Sequence, residues 1–179
     1  MIESNREIKK PSEKREIMPR FEASALRGYC VSVMTASGVE RSCAEAVHEA
    51  QMDAVLTCVF HNGRSRRAGY RQRMDASVMS RENNIRIVRE STSTLVVDAG
   101  NSLGAAAAKF AMERCIAKAK ETGCCFASVH SSNHFGTAAY YTRLAAAQDM
   151  IGFACTNLKG KIAPFGSAEP YMGTNPISV

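Results

Sequence analysis

TLVVDAGNSLGAAAAKFAMERCIAKAKETGCCFASVH, residues 94–130, is the stretch on which the fold class turns. Thr94–Asp98 is short, compact and apolar, the pattern of a buried strand. Leu103–Thr122 is rich in alanine, the strongest intrinsic helix former, and predicts one long helix. Gly123 follows as a C′ residue able to take the left-handed backbone that closes a helix. CCFASVH (124–130) then predicts a second strand. Further on, residues 136–148 predict a short helix and MIGFACTN (150–157) a third strand. Strands alternating with helices imply crossover connections, so the expected fold is α/β with a mixed or largely parallel sheet. Ligands of such sheets bind beyond the C-terminal strand ends, which here means the loops at His130–His134 and Thr156–Asn157.

Upstream the texture is helical. Residues 1–18 are charged, contain Pro11 and lack an apolar period, so they predict a disordered leader. Leu26, Tyr29, Cys30 and Val33 recur at helical spacing, with Gly38 as a stop. A second helix is expected over residues 42–59, with Ser42 as N-cap and Glu45 completing a capping box. Residues 60–90 are polar and irregular apart from an alternating strand in IRIVRE. The expected organisation is a leader (1–18), a helical lobe with an Arg-rich loop (19–90) and an α/β part (91–179).

At 45% apolar and 22% charged residues, the 179-residue chain can bury a globular core. No run approaches the roughly 18 apolar residues of a membrane span, and the N-terminus has no signal-like apolar region. The seven cysteines are odd in number, scattered and without a CxxC pair. They argue against a metal site and for reduced thiols in a cytoplasmic protein. The net charge of +6 is concentrated in residues 61–90, where eight arginines face three acids. That segment lacks aromatic interleaving and any recognition motif, which weighs against nucleic acid. A solvated face or a pocket for an anionic small molecule explains it equally well.

Four histidines are present, two of them in HSSNHFG (130–136). His134 is the candidate acid/base, because imidazole exchanges a proton near neutral pH; a loop residue capping the next helix is the alternative. Asn133, Ser131 and Ser132 can hydrogen-bond its ring or a ligand. His130, at a strand end, reads as scaffold, His48 as a surface residue of an amphipathic helix, and His61 as either a substrate group or a bystander. Among Arg64, Arg66, Arg67, Arg71 and Arg73, one guanidinium fork could hold a carboxylate, and spacing does not choose between them. DAGNSLG (98–104) lies between a strand and a helix, the place of a dinucleotide loop, yet it does not spell GxGxxG and is weak evidence for one. MGTNP (172–176) reads as a tight turn.

SSNHFGTAAYYTRLAA, DMIGFACTN, the AMERCIAKAKETG helix and the AP-FG-AEPYMGTNP segment together resemble the malate/L-lactate dehydrogenase family. The resemblance covers about Phe21 to Val179. It implies NAD(P)-dependent interconversion of a small 2-hydroxy acid and its 2-keto acid, a family-specific fold that is not the GxGxxG Rossmann fold, and a homodimer. It makes His134 the acid/base and places Thr156, Asn157, Gly173, Thr174, Asn175 and Pro176 near the cofactor. Aligning Gly63 of FHNGRSRRAGY on the second family signature puts Arg66 on the substrate-carboxylate arginine and Tyr70 on the family tyrosine. Asn62 then stands where the family has histidine, and His61 where it has serine. An amide there can hydrogen-bond a substrate oxygen but cannot carry charge, which predicts altered catalysis. Family members also continue well beyond GTNP. The resemblance therefore implies a truncated chain, with an exposed sheet edge and unburied apolar surface. A non-catalytic remnant that only associates with a full-length relative is the alternative function.

Overall fold

The computed structural model describes residues 21–63 and 66–179; the expected leader and Arg64 lie outside them. Five helices and five strands follow in the order α1 (Ala23–Ala36), α2 (Arg41–Leu56), α3 (Arg66–Asp75), β1 (Arg86–Glu90), β2 (Thr94–Asp98), α4 (Gly104–Thr122), β3 (Phe126–His130), α5 (Ala138–Ala146), β4 (Ala154–Cys155) and β5 (Ile177–Ser178). The strand–helix–strand unit at 94–130 forms as its sequence dictates. Gly123 closes α4 at φ 84°, and its amide donates to Ala119.

The sheet is mixed rather than largely parallel. β2 pairs with β3 in parallel, Thr94 opposite Phe126 and Asp98 opposite His130, while β1 runs antiparallel to β2. The third strand expected over 150–157 shrinks to Ala154–Cys155, which pairs antiparallel with Ile177–Ser178 in a separate two-stranded ribbon. An apolar run has the composition of a strand, but its length as a strand is set by the partner it meets, and here the partner is two residues long.

α2 is the central helix, packed by α1 on one side and by α4 and α5 on the other. Val47, Ala50, Leu103, Ala106 and Tyr141 fill the space between them. With neighbours on several sides, α2 keeps little solvent face, so His48 is buried rather than at the surface. The capping box does not form either. The helix starts one residue earlier with Glu40 as N-cap, and Ser42 Oγ donates to the Glu40 carboxylate at 2.7 Å. On α1 the inward face is Cys30, Val31 and Met34; Tyr29 and Val33 point outward at 67% and 42% exposure. Both faces of α1 are apolar, so periodicity alone did not define the seam.

The segment expected to be irregular contains α3. Only Tyr70 and Met74, one turn apart, are buried on it. Its arginines are not a bare charged face: Arg71 pairs with Asp75, which also pairs with Arg81 beyond the helix, and Arg73 donates to Asn133 Oδ1 at 3.0 Å. Phe126, Ile151, Phe153, Ile177 and Val179 are exposed. Among the described residues no helix is long and apolar enough to cross a membrane. Nor do three His, Cys, Asp or Glu side chains among them gather as a metal site requires.

Candidate active site

His134 lies in the loop between β3 and α5, and three sets of contacts fix that loop. Its backbone is tied to the DAGNSLG turn through the Ala99 amide on His130 O (3.0 Å) and the Asn101 amide on Ser131 O (2.8 Å). The Asn133 carboxamide nitrogen donates to Asn101 O, Asn101 Oδ1 and Ser102 O at 2.9–3.0 Å. At the far end Phe135 stacks on Tyr141 with ring centroids 5.1 Å apart, and the Tyr141 hydroxyl donates to the Phe135 carbonyl. Asn133 is thus occupied on both ends of its side chain, by this turn and by Arg73. It braces the loop.

Gly104, the first residue of α4, is the seat beneath. A Cβ there would lie 2.0 Å from the Asn133 carbonyl oxygen and 2.6 Å from that of His134. This second glycine of DAGNSLG, a segment that lacks the GxGxxG pattern, is the point where α4 touches the His134 backbone.

Tyr70 comes to the same place from α3. Its hydroxyl is 2.9 Å from His134 Nδ1, and the rings are tilted at 47°. Burial pushes the Tyr70 phenol up to about 12, despite the positive charge of Arg66, so it is a neutral hydrogen-bonding partner at ordinary pH. Arg66, one turn before Tyr70 on α3, donates from Nε to the His61 carbonyl at 2.9 Å. His61 and Asn62 form a single 3-10 turn, Phe60–Asn62, ahead of Gly63. Arg67, by contrast, turns away from this site to Gln51 and the buried Cys30.

The imidazole of His134 is pushed down from its ordinary 6.5 to about 4, by burial first and then by the charges of Arg66, His61 and Lys161. The sequence reading missed Lys161, since a lone lysine in a loop carries no spacing signal. Its strand-like segment is placed by the 2.8 Å bond from its amide to Met172 O and by the Ile162–Met172 bridge. His130, the other histidine of the motif, sits exposed at the end of β3 against Ser131 Oγ (3.0 Å).

The depressed titration of His134 has a consequence for stability. The unfolded chain takes up this proton near 6.5 and the folded chain only near 4. Between these values the unfolded state binds more protons, so the contribution is complete above about 6.5 and is lost as pH falls toward 4. For a partly screened ring the loss is on the order of 1–2 kcal/mol. Urea midpoints at pH 7 and pH 5 should fall less in His134→Gln than in the parent; equal falls would refute the assignment.

The two segments expected near the cofactor, 18 residues apart in sequence, lie side by side. The Thr156 amide donates to Pro176 O (3.3 Å) and the Leu158 amide to Asn175 Oδ1 (2.8 Å). A Cβ on Gly173 would lie 2.2 Å from the Leu158 carbonyl oxygen, so only glycine allows this approach. The result is a polar ledge with Asn157 and Thr174 exposed on it, which suits the polar groups of a dinucleotide. Asn175 spends its carboxamide oxygen holding the ledge together.

The sequence profile of malate/L-lactate dehydrogenases matches residues 21–179. The chain belongs to that family. It is 37% identical to the L-sulfolactate dehydrogenase of Methanocaldococcus jannaschii over 149 residues, 83% of this chain and 43% of that protein. It is 29% identical to the NAD(+) ureidoglycolate dehydrogenase of Escherichia coli O157:H7, over 79% of this chain and 41% of that one. The structure of Pyrococcus horikoshii malate dehydrogenase superposes with a TM-score of 0.84 at 33% identity, covering 89% of this chain and 46% of that one. This family member therefore spans less than half the length of the relatives it matches.

Proposed function

We propose that this chain carries the substrate-binding and proton-transfer part of an NAD(P)-dependent oxidoreductase. It would interconvert a small 2-hydroxy acid and its 2-keto acid, with a second anionic group on that acid. The observation that carries the reading is Tyr70 against His134 Nδ1 inside the positive surroundings of Arg66, His61 and Lys161. A hydrogen bond at Nδ1 leaves Nε2 as the ring atom for proton transfer. When Nδ1 carries the hydrogen, Nε2 offers a lone pair to the substrate hydroxyl. When the ring is protonated, Nδ1–H donates to the Tyr70 oxygen and Nε2–H gives its proton to the keto oxygen, leaving neutral imidazole. Arg66 has the fork to hold the 2-carboxylate, with Asn62 and His61 beside it as further polar contacts, and Lys161 supplies charge for a second anion. An anion bound there offsets the charges that hold His134 neutral, so the base strengthens when substrate is in place.

The nicotinamide cofactor, when bound, supplies or accepts the hydride at the substrate carbon. Thr156, Asn157, Gly173, Thr174 and Pro176 would hold it, with Asn175 bracing them; either NAD or NADP is compatible with this ledge. Malate and sulfolactate, in the names of the relatives, are acids with two anionic groups. We place the protein in the cytoplasm as a homodimer, in line with the resemblance.

A chimera joining residues 21–179 to the remaining half of the M. jannaschii enzyme tests the reading. It should oxidise NAD(P)H with oxaloacetate or sulfopyruvate in preference to pyruvate. Lys161→Ala should raise KM for the dianions by about tenfold and leave pyruvate unaltered; no discrimination in the parent chimera would sink the dianion assignment.

Asn62 at the family's histidine position supports a second reading, a non-catalytic piece that associates with a full-length relative. NADH binding by the 179-residue chain alone at micromolar concentration would count against it. Co-purification with such a relative, without turnover of its own, would favour it.

A further inference from the structure

Cys115 on α4 and Cys125, the residue before β3, are ten positions apart, and the left-handed turn at Gly123 folds the second back toward the first. Both pack against the same small cluster of Leu95, Val97 and Ala111. The Cys125 thiol donates to the Phe126 carbonyl at 3.8 Å, and it is near enough to Cys115 to raise that thiol's titration. Cys124, next in the chain, is exposed. None of the four remaining cysteines belongs to that cluster, and the proposed oxidoreductase chemistry uses none of these thiols.

We propose that Cys115 and Cys125 are a redox-active dithiol, closed into an intramolecular disulfide by low-molecular-weight disulfides. This is a modification site that staples α4 to the foot of β3, the strand that leads into the His134 loop. Disulfides in reducing compartments are mostly of this transient kind. The exchange has two steps. Cys125, as thiolate, attacks the small disulfide, forming a mixed disulfide and releasing one small thiol. Cys115 then loses its proton to solvent and displaces the second small thiol, forming the Sγ–Sγ bond. The two protein thiols are oxidised by two electrons and one disulfide is reduced to two thiols. Burial and the neighbouring sulfur push the Cys115 thiol up to about 12, partly offset by Lys118, so the second step is the slow one. The adduct on Cys125 should therefore build up before the ring closes.

The 179-residue chain is incubated with oxidised glutathione, both natively and in concentrated urea, then alkylated, digested with trypsin and read by mass spectrometry. In the native sample, peptide 115–118 should appear linked to peptide 121–143, two hydrogens lighter than the sum. The link should persist in Cys124→Ser and vanish in Cys115→Ser and Cys125→Ser. Glutathione should stay on Cys125 in Cys115→Ser. In urea the preference for this pair should be lost. Cys115 recovered alkylated while Cys124 and Cys125 pair or keep glutathione overturns the proposal. So does a link that forms equally well in urea.

Discussion

Replacing His134 by Gln lowers turnover of the 2-keto acid with NAD(P)H by 10²–10⁴-fold, the usual range for removing a positioned general acid/base. The prediction rests on geometry more than on the residue's identity. The ring is held at Nδ1 by Tyr70 at 2.9 Å, and its backbone is tied to the turn at residues 99–102. Glutamine fills the same space and can hydrogen-bond Tyr70, so folding survives while proton exchange does not. The assay uses the chimera described above, with kcat compared at fixed pH and KM followed separately. A fall in kcat with KM nearly unchanged is the expected split, because Arg66 and Lys161 still hold the anion. Tyr70→Phe keeps the ring but removes the hydroxyl, and should cost less, roughly tenfold, since it acts by setting which ring nitrogen carries the hydrogen. Turnover retained in His134→Gln would remove His134 from the chemistry altogether.

The parts of this site differ in how legible they were, for physical reasons. Residues 94–130 could be read because each element was locally complete: an apolar strand, an alanine-rich helix and a glycine at its left-handed end. Arg66 and Tyr70 are four residues apart, which places them on one helical face, but α3 itself was obscured. Most of its ten residues are polar, and only Tyr70 and Met74 mark a buried side. The contact of Tyr70 with His134, 64 residues away, has no local signature; the family resemblance aligned both residues, and the tertiary fold joins them. His48 was misplaced because burial of α2 depends on how many helices surround it, a property of packing rather than of its own pattern. The strand at 150–157 was read too long for the same kind of reason, since its partner strand is two residues. Lys161 matters through an approach fixed by backbone pairing to Met172, which no spacing rule reports.

Gly104→Ala is the second change expected to have a large effect, and its logic runs against helix propensity. Alanine in place of glycine ordinarily favours a helix by up to about 1 kcal/mol. Gly104 does not need a left-handed backbone, for its φ is not among the positive values in the chain. Its role is steric: a Cβ would sit 2.0 Å from the Asn133 carbonyl oxygen and 2.6 Å from the His134 one. Both are backbone atoms of a loop clamped at Asn133 and at Tyr141, so neither can step aside without breaking those clamps. Forced overpacking of this kind costs about 3 kcal/mol, more than propensity returns. Gly123→Ala supplies the contrast. At φ 84° with no atom within 4 Å, it is strained by conformation alone and should cost about 1 kcal/mol. Urea unfolding of the two variants at one temperature separates the causes. The larger loss in Gly104→Ala should be accompanied by altered His134 imidazole NMR signals, whereas those signals should be unmoved in Gly123→Ala. If Gly104→Ala were no less stable than Gly123→Ala, the seating of the His134 loop on the start of α4 would be wrong, and with it the basis for a preorganised proton-transfer group.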